Sequence, residues 1–112
     1  MNSKDCRTIE KILEEINFLQ NITKDVKLDS FINNEEKMRA AAMTLINIGE
    51  LVRILSDKFK ESVKNIPFNE IMATRNIAAH GYHALNFYFI WDTIKNDIPD
   101  MKQKLEKLLV IH

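Results

Sequence analysis

The stretch Arg75-Asn76-Ile77-Ala78-Ala79-His80-Gly81-Tyr82 gathers a fixed cation, an amide, an imidazole and a phenol near one point of the chain. These groups suffice for phosphoryl chemistry without a metal. An arginine stays protonated and offers a planar fork of donors to phosphate oxygens, while a histidine, with a reference pKa of about 6.5, moves a proton near neutrality. In an unbroken helix Arg75 and His80 diverge by about 140°, because positions five apart do not share a face at 3.6 residues per turn. Gly81 suggests a remedy. Glycine commonly follows a helix end, so His80 is expected at a frayed last turn, folded back toward Arg75. Taken alone, the same residues also fit a plainer arrangement: His80 against the negative end of the helix dipole, Arg75 a surface charge and Tyr82 a core residue.

The elements that must hold these groups read as helices. Only two glycines and two prolines interrupt the chain. Ile9, Ile12, Leu13, Ile16 and Leu19 form an apolar stripe that predicts a helix over about 5–23, with Ser3 or Asp5 as N-cap. Asn33 followed by Glu36 has the form of a capping box for a second helix over about 34–57, whose wide buried face carries Met38, Ala42, Leu45, Gly49 and Val52. Pro67 suits the first turn of a third helix with Phe68, Ile71 and Met72 inward, ending near His80. Asn86 is the expected cap of a fourth helix bearing Phe87, Ile90, Trp91, Ile94 and Ile98, and Pro99 the opening of a short fifth with Met101, Leu105 and Leu108. The fold class expected is an all-α antiparallel four-helix bundle with that short fifth helix.

Gly49 in mid-helix costs about 1 kcal/mol against alanine, which implies close approach of another helix. Glu50 beside it can pair with Arg53 or Arg75, although solvent exposure is its default. The five methionines and six phenylalanines fall at helical spacing, as core filling requires. His83 and His112 lack ligand partners at a recognisable spacing and are expected in solvent.

With 112 residues and 46% hydrophobic content, the chain has one domain's worth of sequence and can bury a core without disulfides or metal. Cys6 is a lone cysteine and no zinc-ligand spacing occurs, which suits a reduced, cytoplasmic protein. No signal core appears, and the uncharged run from Asn76 to Trp91 falls short of the roughly 20 apolar residues that a membrane span needs. Sixteen basic residues balance sixteen acidic ones, so attraction to a phosphate backbone must come from a local cluster.

The motif resembles the R-x4-6-H signature of the HEPN superfamily, and its extension R-N-x3-H-G-Y resembles the HepT-like toxins paired with nucleotidyltransferases. The likeness extends through Ala41, Leu45, Ile48-Gly49-Glu50, Ile66-Pro67-Phe68, Ile71, Trp91 and Asp97-Ile98-Pro99, covering roughly positions 36 to 110 and, loosely, the first helix. It implies a single HEPN domain over residues 1–112 and a metal-independent endoribonuclease with no cofactor, acting as the toxin of a type VII-like toxin–antitoxin pair. Arg75 would stabilise charge on phosphorus, His80 would serve as general base or acid at the ribose 2′-hydroxyl, and Asn76 would orient one or the other, leaving 2′,3′-cyclic phosphate ends. The partners implied are RNA, a second copy of the chain in a homodimer, and a nucleotidyltransferase antitoxin that transfers AMP to Tyr82. Two alternatives stay open: a noncatalytic HEPN subunit that helps a nucleotidyltransferase bind substrate, and a structural helical dimerisation domain.

Overall fold

A computed structural model describes residues 1–80 and 87–111. The expected turn at Gly81, the cap at Asn86, and the positions of Tyr82, His83 and His112 lie outside the described residues. Every described element is helical, in the order α1 (Ser3–Thr23), α2 (Leu28–Ile32), α3 (Glu35–Ile54), α4 (Asp57–Ser62), α5 (Phe68–His80), α6 (Phe87–Asp92), a π-helical segment (Thr93–Asp97) and α7 (Ile98–Ile111). The all-α bundle is therefore as expected, while several boundaries differ for identifiable reasons.

Helix α1 starts two residues before its expected position, because Asn2 rather than Ser3 or Asp5 supplies the cap: its Oδ1 accepts from the Asp5 backbone N–H at 2.7 Å. Asp5 is instead buried, accepting from the Ser56 N–H at 3.0 Å and its hydroxyl at 2.6 Å, which ties the start of α1 to the start of α4. The other end of α1 leaves carbonyls without intrahelical partners. Two lysines from elsewhere supply them, Lys37 donating to Ile22 O at 2.9 Å and Lys95 to Thr23 O at 3.0 Å. Between these ties Ile9, Ile12, Ile16 and Leu19 are fully buried, and the pairings of Asp5 with Ser56 and Glu15 with Asn47 make α1 and α3 antiparallel.

The capping box expected at Asn33 and Glu36 does not form. Asn34 caps α3, accepting from Lys37 N at 3.0 Å, while Asn33 closes α2 with its amide on Asp29 O. Helix α2 has no periodic stripe; its one buried residue, Phe31, sits 4.7 Å from the Trp91 ring centroid and 6.2 Å from that of Phe87. Likewise α3 stops at Ile54, and Ser56 caps the separate helix α4, whose buried Phe59 meets Phe68 edge-on. The expected second helix had merged these two.

Pro99 does not open a separate short helix. The backbone passes from α6 through the π turn into the fourteen residues of α7 without leaving helical dihedrals, and the Ile98 N–H bonds back to Thr93 O. A proline cannot donate and crowds the carbonyl four residues back, so a widened turn just before Pro99 lets the helix pass it. The core closes around Leu45, Ile48, Ile71, Ile90, Ile94, Ile98, Met101 and Leu105. Not every large apolar side chain joins it: Phe18, Met43 and Phe89 stand about half exposed, contrary to core filling by all the phenylalanines and methionines.

Asp97 in the π turn carries a carboxyl held above its ordinary range, by burial first and then by the charges of Asp92, Glu70 and Asp100. A carboxyl raised in the folded state binds protons better there than in the unfolded chain. Its contribution thus favours folding at low pH and is lost as pH rises through the folded value. Asp97→Asn is expected to raise the melting temperature at neutral pH and to leave it unchanged below about pH 3, where both states are protonated. Thermal melts of the two proteins at both pH values check this.

Candidate functional site

Helix α5 turns Ile71, Thr74 and Ala78 inward. Thr74 fixes its rotation, because its hydroxyl is buried against that of Thr93 at 3.0 Å while also reaching Glu70 O at 2.9 Å. A buried hydroxyl pair of this kind sets register, since any slip would strand polar atoms away from water. With Thr74 inward, Arg75 falls at the edge of α5 that meets α3, where its side chain is 21% exposed. The helices approach closely there. A Cβ added to Gly49 would lie 2.5 Å from the Cβ of Arg75, so the helix expected to crowd Gly49 is α5, at Arg75 itself.

The guanidinium is held on two sides. Its Nη2 pairs with Glu50 Oε1 across the helix interface, and its Nη1 donates to Asn76 Oδ1 at 2.9 Å. The Nε is buried and has no partner among the described residues. Glu50 is not a solvent-facing bystander: its second oxygen accepts from Arg53, so one carboxylate serves two guanidiniums. Partial burial pushes the Glu50 carboxyl up, but the hydrogen bond from Arg75 and the charges of Arg53 and Arg75 outweigh it and hold the group below the usual carboxylate range.

His80 is the last residue of α5 and is exposed. It remains helical rather than folding back, and the structure records no contact between it and Arg75. Asn76 lies between them on the helix. It stands one turn before His80 on the same face, as positions four apart do, and it is hydrogen-bonded to Arg75. Arg75, Asn76 and His80 thus span an arc of about 140° with the amide between cation and imidazole. No hydrogen bond or ion pair engages the imidazole among the described residues. Tyr82, the fourth residue singled out by sequence, lies outside the described residues.

Cavities lined by described residues lie away from Asn76 and His80. One of about 660 Å³ is lined by Asp57, Lys60, Glu61, Lys64 and residues 65–70 with Asp100, well short of Arg75 along the sequence and without Asn76 or His80. A smaller groove beside Glu50, lined by Lys11, Glu14, Glu15, Asn47, Glu50 and Leu51, is acid-rich. No group of three histidine, cysteine or acidic side chains converges to hold a metal among the described residues, and no described helix is long and apolar enough to cross a membrane.

Sequence reasoning missed the Thr74–Thr93 pair and the double use of Glu50. The threonines carry no motif. The acid was recognised as a possible partner of either arginine but not of both.

Residues 12–108 match the family profile described as "Ribonuclease HepT-like". Among similar proteins, "Putative RNase MJ1380" of Methanocaldococcus jannaschii is 33% identical over 95% of this chain and 98% of its own length. "Putative RNase TTE0752" of Caldanaerobacter subterraneus subsp. tengcongensis is 32% identical over 90% of each chain. "Probable ribonuclease HepT" of Thermococcus cleftensis is 30% identical over 89% of this chain and 91% of its own. No solved structure matches. A profile covering most of the chain, together with relatives aligned nearly end to end through the Arg75–His80 helix, establishes that this chain belongs to the HepT-like ribonuclease family.

Proposed function

We propose that the chain is a metal-independent endoribonuclease toxin whose site is Arg75, Asn76 and His80. The observation that carries this reading is a guanidinium held beside an amide that shares its helix face with an exposed imidazole, one that no described residue engages by hydrogen bond or ion pair. The family supports it, as do relatives named as ribonucleases. RNA supplies its own nucleophile: the ribose 2′-oxygen attacks phosphorus, the bond to the 5′-oxygen breaks, and a 2′,3′-cyclic phosphate and a 5′-hydroxyl result. A base must take the 2′-hydroxyl proton and an acid must protonate the leaving oxygen, and Arg75 stabilises the charge that builds on the phosphate oxygens.

One imidazole cannot be base and acid in the same step. A homodimer that brings two copies of the motif to one cleft supplies both, since a twofold interface uses the same patch of each subunit. The nucleotidyltransferase antitoxin and AMP transfer to Tyr82 complete the proposal: an added AMP would place a negative phosphate and a base where RNA must bind, competing for Arg75.

Purified chain incubated with RNA in EDTA is expected to cleave it to cyclic-phosphate ends, and expression without the partner to slow growth. Cleavage that vanishes with chelator and returns with magnesium would overturn the mechanism. RNA binding without cleavage would favour the noncatalytic substrate-binding subunit. Co-expression with a cognate transferase is expected to add mass in units of AMP to the peptide holding Tyr82, and relief of toxicity with Tyr82 unmodified would point to masking by protein contact.

A further inference from the structure

We propose that Glu50 is the positioning residue of the site, holding the Arg75 fork in the orientation that receives phosphate, with Arg53 as the counterweight that keeps the cluster positive. The inference rests on the ribonuclease reading and assigns the α3 side of the site, which lies outside the motif.

An arginine side chain is long, and an exposed one samples many rotamers that binding must suppress. Arg75 is restrained at three points: its stem lies on Gly49, where a methyl group would collide, its Nη2 is anchored on Glu50, and its Nη1 on Asn76. The guanidinium has five N–H donors. Glu50 and Asn76 take one each, and the Nε–H is buried, which leaves one N–H on each terminal nitrogen for an incoming phosphate.

A lone carboxylate would orient the arginine at the expense of its charge. Here the second oxygen of Glu50 belongs to Arg53, whose side chain is 63% exposed. Two guanidiniums share one carboxylate, so the three side chains together keep a formal positive charge, in a chain whose overall charge is zero. Orientation achieved before substrate arrives belongs in kcat more than in KM, because the gain is realised as charge develops on phosphorus.

The test is steady-state cleavage of a short single-stranded RNA by the full chain and by Glu50→Ala and Glu50→Gln, with arginine side-chain ¹⁵N spectra of each and Arg75→Ala to assign the Arg75 Nε–H signal. Glu50→Ala is expected to lower kcat by about tenfold or more with KM changed less than about threefold, and to turn the slowly exchanging Nε–H of Arg75 into a fast one. Glu50→Gln, which keeps an acceptor oxygen in place, is expected to recover most of kcat and the slow exchange. Unchanged kcat and unchanged exchange in Glu50→Ala overturn the proposal, as does an increase in kcat, which would make Glu50 a restraint on the site. Should wild-type chain fail to cleave RNA, the ribonuclease reading falls, and the Nε–H exchange still decides whether Glu50 holds Arg75.

Discussion

His80→Ala is expected to lower RNA cleavage by at least about a hundredfold while leaving the melting temperature unchanged, since a positioned acid or base contributes roughly 10²–10⁴-fold. The separation of the two effects follows from where the imidazole sits. It ends α5, is exposed, and engages no described residue by hydrogen bond or ion pair, so its loss removes no polar contact among the described residues. Alanine also extends a helix at least as well as histidine does. In the proposed dimer, one substitution removes both imidazoles of the shared cleft, so neither proton transfer retains its carrier. Growth inhibition on expression should disappear in parallel. Cleavage within about threefold of wild type would refute the role of His80, whatever the state of Arg75. Arg75→Lys makes the companion measurement: it keeps the charge but loses the fork, and a substantial drop is expected because lysine cannot span Glu50, Asn76 and two phosphate oxygens at once.

The second large effect is expected from a single methyl group. Gly49→Ala should reduce cleavage about as severely as loss of Arg75, although position 49 presents no chemistry. By helix propensity alone the change should stabilise α3 by about 1 kcal/mol. The new Cβ, however, would lie 2.5 Å from the Cβ of Arg75, an atom fixed by the backbone that no rotamer change can move aside. Relief therefore requires α3 and α5 to separate. Overpacking of this kind costs about 1–3 kcal/mol. Separation also draws Glu50 away from the Arg75 guanidinium, so the cation loses its anchor in the same movement. Chemical denaturation and cleavage assays on the same preparation check both parts: stability should fall and cleavage should fall further than stability accounts for. A Gly49→Ala protein that is more stable and fully active would show that the interface relaxes freely and that the close approach does not hold Arg75.

Much of this molecule was legible in its sequence, for local reasons. The stripe Ile9, Ile12, Ile16 and Leu19 reports α1 because helical period and burial coincide there. The same logic gives the body of α3, and Pro67 with His80 brackets α5. The motif residues Arg75, Asn76 and His80 were evident from their chemistry and spacing, and the likeness of the motif and its surroundings to HepT-like proteins pointed to the family that the chain-length comparison shows. Gly49 announced a close approach because an unfavourable residue in mid-helix needs a cause.

Other features depend on atoms far apart in sequence, and no local pattern encodes them. Helices α2 and α4 each bury one phenylalanine, which becomes a reason to be helical only once Trp91 and Phe87, or Phe68, are brought beside it. The lysines that close α1 come from positions 37 and 95, and the partner of Asp5 is Ser56. The arc of the site follows the same rule. Sequence alone suggested that His80 could fold back toward Arg75, whereas it stays in the last turn of α5, with Asn76, bonded to Arg75, lying between the two on the helix. By itself the sequence determined which groups could act and that they ride on helices, because composition and period are local properties. Tertiary structure decided how those groups face one another, because rotation of α5 is set by the Thr74–Thr93 contact and Arg75 by Glu50, and each of those pairs exists only after distant helices have packed.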